Sequence, residues 1–469
     1  MISNQNPEKM QKIIIILFFL IPGILFSQSY RDHYSPTEYL WEYIGNPGFS
    51  VDSADYTSIA IDQSGQPLVA YQDVGNLRKA TVMKFDGVSW SAVGSAGFSA
   101  GPAEHTSLAF GASWQPLVAY SDGGNSNKAT VMKFDGVGWV NVGNAGFSVS
   151  EAKDINLVIS PLTEPFVAFR DYGNAQKATV MKFDGTNWVT IGTAGFSAGT
   201  ACYLSISFGT TGQSYVAYQD YGNLQKATVM RFDGTNWVNV GPAGFTPGKA
   251  ICISLAISHS GQPYIAFSDE ANSYKLSVMK FDGTDWVYVG SQGASSGLIE
   301  YTSLAFSPDG QPYVAFEDYG EEGKAALMKF DGSGWVYVGE EDFSPAEADY
   351  TSLAFNTGGQ PFVAFEDYGN GGKATVMKYD SVYTGINNTL QDQISIFPNP
   401  AHNKITVGFI NQKIEFKYLE VDDLSGKKIF GTDLSSGMTI LNVEDYPPGI
   451  YIIKVRTLKS IYISKFCKR

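Results

Sequence analysis

Seven positions spaced 49 residues apart hold the most varied reactive side chains of this sequence: Tyr56, His105, Asp154, Tyr203, Cys252, Tyr301 and Tyr350. A histidine, a carboxylate and several phenols brought together can do acid–base chemistry, and the same groups recognise polar ligands by hydrogen bonding and ring contact. Catalysis needs one asymmetric cluster with divided roles and tuned pKa values. Of the four histidines, His33, His105, His259 and His402, only His105 falls in this column. We therefore expect Tyr56, His105, Asp154, Tyr203, Tyr301 and Tyr350 to line a ligand pocket and assign no catalytic residue; a drifting, partly exposed position is the plainer alternative. The rival is a hydrolase or lyase acting on polysaccharide through His105, Asp154 and Tyr203.

Two further columns carry charge. Asp73, Asp122, Asp171, Asp220, Asp269, Asp318 and Asp367 are each followed six residues later by a lysine, as in Lys79, Lys324 and Lys373. Such pairs read either as a ring of ligand-binding charges or, more economically, as loops that each close on themselves. A surface ion pair contributes only about 0–1 kcal/mol, so loop geometry is the better reason for Asp73 and Lys79, Asp318 and Lys324, or Asp367 and Lys373. The column from Asp86 to Asp380 marks hairpin turns. Acidic residues gather near the end of the array (Glu321, Glu322, Glu340, Glu341, Asp342, Glu347 and Asp349), where calcium could bind, but no EF-hand or nonapeptide spacing is present. No cofactor is expected. The three cysteines, Cys202, Cys252 and Cys467, form no metal-ligand spacing. A bridge between Cys202 and Cys252 would need Cα atoms within about 7 Å.

The elements that position these columns follow from the same period. Trp41, Trp90, Trp139, Trp188, Trp237, Trp286 and Trp335 repeat every 49 residues without insertion or deletion, as does the Met83 to Met377 column. Each repeat splits into four short β-type runs separated by turn residues. In one copy these are Tyr301–Phe306, Tyr313–Glu317, Lys324–Phe330 and Trp335–Val338. Repeats of 40 to 50 residues with four strands each build a seven-bladed β-propeller. The chain opens with an unpaired fourth-strand copy, Trp41–Gly45, and its last repeat stops after a third strand, Lys373–Asp380. Pairing the two closes the ring. Small residues such as Ser58 and Ala60, alternating with Ile59 and Ile61, let neighbouring blades approach. Loops after second strands then share a face with the blade links, which vary most, so that face and its channel mouth are the candidate recognition surface. The array lacks the signatures of the Trp-Asp, kelch and Asp-box propellers, and Arg78, Arg170 and Arg231 are too scattered for a sialidase triad.

Between residues 28 and 382 there are 19 Lys plus Arg against 37 Asp plus Glu, a net of −18, which disfavours nucleic acid. Lys9 and Lys12 precede an apolar run, Ile13–Phe26, broken by Pro22 and Gly23 and followed by Ser27; this is a signal-peptide pattern rather than a permanent transmembrane segment. The expected organisation is a signal peptide (1–27), a leader (28–40), the propeller (41–380), a linker (381–393) and a C-terminal module (394–469). A monomer is expected.

The C-terminal module has its own motifs: Pro398, Asn399 and Pro400 open it, Asp423 to Gly426 form a turn, and Pro447 or Pro448, Gly449 and Tyr451 open a late strand. These resemble the type A sorting domain of the type IX secretion system of Bacteroidetes. The resemblance implies a small immunoglobulin-like β-sandwich, an encounter with the secretion machinery, and a destination outside the cell or on its outer surface. Cys467 near the end departs from the family's aliphatic and Lys pattern. The whole reads as an all-β, exported, non-enzymatic binding or adhesion protein for an extracellular glycan or protein.

Overall fold

A computed structural model describes residues 38–382, 394–409, 416–423, 427–434, 438–457 and 461–469. The signal peptide, most of the leader, linker residues 383–393 and Gly426 lie outside the described residues. The chain divides into two compact units, one of them Glu38–Val382.

That unit is a seven-bladed propeller of four-stranded antiparallel sheets. Blade one runs Ala54–Ile61, Pro67–Asp73, Lys79–Phe85 and Trp90–Ala92, and the pattern recurs to blade six, ending at Trp335–Tyr337. Blade seven takes three strands from Ala348–Phe355, Pro361–Asp367 and Lys373–Val382, and its fourth, Glu38–Tyr43, from the start of the unit. Trp41 pairs with Tyr379 and Glu42 with Lys378 across this seam. The closing strands run from Glu38 and to Val382, a little past the 41–380 limits that the repeat marks.

Two columns fill the space between blades. Ala70, Ala119 and their equivalents are fully buried, as are Tyr71, Tyr120, Phe169, Tyr218, Phe267, Phe316 and Phe365. Burying one such ring removes enough apolar surface to contribute about 1.5–3 kcal/mol. Small residues thus admit the large rings of the neighbouring sheet.

Each tryptophan does more than fill space. Its indole N–H donates to a carbonyl of the preceding blade: Trp90 to Ile44 (2.7 Å), Trp139 to Val93 (2.7 Å), Trp188 to Val142 (2.7 Å), and across the seam Trp41 to Val338 (2.8 Å). Trp237, Trp286 and Trp335 complete the outer ring of seven bonds. The reach requires a glycine after the accepting residue. Gly94 has φ +71°, and a Cβ there would lie 2.9 Å from Phe134 and 3.3 Å from Trp139.

An inner ring encircles the axis. The hydroxyl of Ser58 accepts the Leu108 N–H (3.0 Å), Ser107 that of Leu157 (2.9 Å), and Ser352 that of Ile59 across the seam (3.1 Å). Asn156 plays the part in blade three, accepting from Ile206 at 3.1 Å. Ser58 is therefore small for close approach and also polar for this bond.

The second unit contains two antiparallel sheets, of three strands (Ile394–Phe397, Lys404–Phe409, Met438–Asn442) and four (Phe416–Asp423, Lys428–Asp433, Gly449–Thr457, Ile461–Lys468). They enclose one core including Ile405, Leu419, Leu441, Tyr451, Ile453 and Phe466, which makes a small sandwich.

The outer ring yields a differential prediction. Six tryptophans stack on a phenylalanine of the preceding link, as Trp188 does on Phe147 at 4.1 Å, but Trp335 meets Ala294 instead. Trp188→Ala should cost about 3–5 kcal/mol in chemical denaturation. Trp335→Ala should cost less by about 0.5–1.5 kcal/mol, the worth of one aromatic pair.

Candidate functional site at the channel mouth

Every inner strand carries a β-bulge at the same place, where register slips between Asp55 and Ser58 in blade one and between the equivalent residues elsewhere. The bulged residue takes a left-handed conformation: Tyr56 (φ 55°), His105 (55°), Asp154 (48°), Tyr203 (52°), Cys252 (51°), Tyr301 (48°) and Tyr350 (52°). Non-glycine residues adopt this region at a cost, and bulges re-aim side chains. Of the six residues expected to line a pocket, Tyr56, His105, Tyr301 and Tyr350 line a cavity of about 290 Å³, whereas Asp154 and Tyr203 are not among its lining residues.

The opening has two unlike sides. Tyr301, Tyr350, Tyr56 and His105 form a continuous arc, with successive ring centroids 4.7, 4.8 and 4.8 Å apart and planes tilted by 45–50°. Beneath it, threonine hydroxyls donate to carbonyls of the preceding blade, Thr57 to Tyr350 (2.6 Å), Thr351 to Tyr301 (2.5 Å), and likewise Thr106 to Tyr56 and Thr302 to Cys252. Blades three to five carry Ile155, Leu204 and Ile253 instead, all buried. Asp154 makes an ion pair with Arg170 (3.2 Å), whose Nη1 also donates to the Cys202 sulfur (3.2 Å). Tyr203 stands 39% exposed at the rim. Cys202, Cys252 and Cys467 are all free thiols, so no bridge joins neighbouring blades.

Burial sets the electrostatics of the arc. It lowers the pKa of His105 against the opposing pull of Asp154 and Glu104, which favours the neutral imidazole. It raises those of Tyr56, Tyr301 and Tyr350, with nearby carboxylates adding to the rise. The Cys252 thiol is pushed up to about 12 by burial. Neutral hydrogen-bonding groups and ring faces therefore dominate this side.

The Asp–Lys columns take a different arrangement from ion pairing. Asp73 lies opposite Lys79, Asp318 opposite Lys324 and Asp367 opposite Lys373 in strand register, yet among the described residues no ion pair joins them. The aspartates are buried and bound to their own loops. Asp73 accepts from Thr81 (2.7 Å) and Asn76 (2.8 Å), and Asp367 from Thr375 (2.8 Å) and Asn370 (2.8 Å). Asp318, lacking that threonine, accepts from Ser296 (3.0 Å) and Tyr337 (3.1 Å). The Asp86 column caps hairpins, with Asp86 accepting from the N–H groups of Val88 and Ser89 at 2.8 Å.

Residues beyond the expected set also shape this face. The penultimate residue of each second strand meets the next blade's first strand: Glu366 faces Ser53 and Asp55, and Glu317 faces Glu347 and Asp349. Blades six, seven, one and two form an acidic arc that includes Glu300, Asp349, Asp55 and Glu104, whereas blade three presents Lys153 and Arg170. Their spacing in the repeat marks them, but only the fold places them together.

In the second unit, Asn399 of the Pro398–Pro400 motif clamps the last strand, its Oδ1 accepting from the Cys467 N–H (2.9 Å) and its Nδ2 donating to the Lys465 carbonyl (3.2 Å). Gly449 pairs with Lys468 at the start of the adjoining strand. Tyr451 stacks on Phe466 at 5.4 Å and donates to the Pro447 carbonyl (2.8 Å).

The larger unit is a β-propeller and the smaller a sorting module. Residues 395–469 match the family described as the secretion system C-terminal sorting domain. The chain thus carries a type IX sorting domain and is exported to the cell surface or secreted. Among the described residues, no helix is long and apolar enough to cross a membrane. No curated protein matches the chain. Solved structures similar to it include a protein of unknown function from Dyadobacter fermentans (12% identity, 73% of this chain and 97% of that one, TM-score 0.41). Another is a PL25 ulvan lyase bound to an oligosaccharide (12%, 73% and 95%, TM-score 0.46). A third is the Aleuria aurantia lectin with Fucα1-6GlcNAc (16%, 64% and 98%, TM-score 0.43).

Glu366 provides a pH test of this face. It is buried, accepts from Ser53 (2.9 Å), and burial with neighbouring carboxylates pushes its pKa up to about 7. A raised carboxyl pKa means that the folded state holds the proton longer, so its contribution is full below the unfolded value, about 4.3, and is lost as pH rises through about 7. Glu366→Gln should therefore stabilise the protein at pH 8 by on the order of 1–3 kcal/mol and leave it nearly unchanged at pH 4, as read by thermal unfolding.

Proposed function

We propose that the exported propeller is a non-enzymatic binding or adhesion module whose ligand, an extracellular glycan, docks over the channel mouth on the face that carries the blade links. The observation that carries this reading is the arc of Tyr301, Tyr350, Tyr56 and His105 around a cavity of about 290 Å³. Rings with one apolar face and one polar edge suit a sugar, whose C–H faces stack while its hydroxyls bond to phenols, imidazole and carboxylates. Export places the mouth where such polymers occur. Asp154, held by Arg170 at 3.2 Å, serves the rim rather than a catalytic pair with His105.

A glycan array and equilibrium binding with the full chain test the reading. Tyr350→Ala should weaken glycan binding by at least about tenfold, the loss expected for one buried aromatic contact worth more than about 1.4 kcal/mol. Capture of a protein ligand with no glycan bound would move the proposal to a protein partner. Turnover of a polysaccharide that disappears in His105→Ala would replace it with the hydrolase or lyase reading.

A further inference from the structure

The junction between blades six and seven differs from the other six. At each junction three positions converge: the penultimate residue of one second strand, the last residue of the following link, and the second residue of the next first strand. Blade one to two brings Gln72, Pro102 and Glu104; two to three, Ser121, Glu151 and Lys153; three to four, Arg170, Thr200 and Cys202. Four to five brings Gln219, Lys249 and Ile251; five to six, Ser268, Leu298 and Glu300; seven to one, Glu366, Ser53 and Asp55. Only six to seven brings three acids, Glu317, Glu347 and Asp349.

These carboxylates converge, with one oxygen from each lying within 4.8 Å of the others. Glu317 is fully buried, and neither of its oxygens accepts a hydrogen bond of good geometry, although the Tyr319 hydroxyl and Asp349 stand beside it. Five of its six counterparts have partners: Gln72 donates to the Ala103 carbonyl (3.1 Å), Ser121 and Ser268 donate to loop carbonyls, Arg170 meets Asp154, and Glu366 accepts from Ser53. At the position of Ser53, this junction has Glu347, which adds a charge where a donor would be needed.

The loop beside Glu317 leaves room. Gly323 occupies a left-handed position (φ +74°) that Arg78, Gln176 and Tyr274 fill in other blades, so the backbone alone does not demand glycine. A Cβ at 323 would stand 2.7 Å from Glu317 Oε1 and 3.3 Å from Glu347 Cγ. Glycine recurs at this position only in blade seven, as Gly372 beside Glu366. A buried, unpaired carboxylate costs several kcal/mol unless an opposite charge meets it. Glu347 is exposed, which gives the cluster an entrance from solvent.

We infer that Glu317, Glu347 and Asp349 bind a divalent cation, calcium, between blades six and seven. All-oxygen carboxylate donors select hard cations, and ligand oxygens about 2.3–2.6 Å from one Ca²⁺ fall within the observed mutual spacing. Water would complete the six to eight oxygens that calcium takes. The cation ties the link of blade seven to the second strand of blade six.

Calorimetric titration of the full chain with CaCl2, and thermal unfolding in CaCl2 against EDTA, test the site. The expected result is one calcium per chain, with Kd in the range of about 10⁻⁶ to 10⁻³ M, and a higher Tm in calcium. Glu317→Gln, which installs the residue of blades one and four, should fold, weaken binding at least about tenfold and abolish the Tm difference. Glu347→Ser, which recreates the blade seven to one junction, should do the same. A wild-type chain indifferent to calcium, or a Glu317→Gln chain that binds as tightly as wild type, overturns the inference.

Discussion

Seven sheets that cannot stand alone are held by bonds that pass from each blade to the next. Trp139 reaches back 46 residues to Val93, and Leu157 reaches back 50 to Ser107. Two such rings, one near the perimeter and one near the axis, are continuous only if the sheet containing Trp41 also contains Tyr379. An array left open would expose one flank of Tyr71 and, opposite it, Ala364 and Val376, and would leave the Trp41 indole and the Ser352 hydroxyl without partners. The remainder of the propeller, including the placement of every bulged residue around the axis, depends on that closure.

Regularity is the background against which the asymmetry of the mouth stands out. The scaffold puts one side chain per blade at the mouth in one backbone conformation, so differences between sides of the opening are differences of residue type alone. Tyrosine, histidine and threonine occupy one side; isoleucine and leucine lie beneath the other. Carboxylates crowd the junctions after blades six and seven, and the cations of that tier are Lys153 and Arg170 of blade three and Lys249 in the link before blade five. This face presents aromatic, neutral hydrogen-bonding groups flanked by negative charge, which agrees with the chain's acidic balance.

Much of this was legible because the repeat never slips. A column of tryptophans at one spacing identifies equivalent strands without knowledge of any contact, and the surplus fourth strand at the start predicts its own partner at the end. Tyr56, His105, Tyr301 and Tyr350 were traceable to the mouth for the same reason. Other features were hidden because their cause lies a blade away. Nothing local says that Tyr56 is left-handed, since tyrosine has no preference for that region; the bulge is imposed by the strand pairing around it. Ser58 reads as merely small until its hydroxyl is seen on the next blade's amide. Asp73 followed by Lys79 suggests a charge pair, but Thr81 and Asn76 both donate to one carboxylate oxygen inside the loop, and the half-buried lysine makes no ion pair with it. Glu317 looks like an ordinary polar strand end until Gly323 and the acids of blade seven are placed beside it.

Ring closure is tested most directly by cross-linking the seam. With Cys202, Cys252 and Cys467 replaced by serine, Glu42→Cys together with Lys378→Cys places two thiols on residues that face each other in strand register. Mild oxidation should give an intramolecular disulfide in nearly all folded chains, seen as a compact species on a denaturing gel and absent when Lys329→Cys of blade six replaces Lys378→Cys. Failure to form that bond, or formation only between separate chains, would contradict the closed propeller.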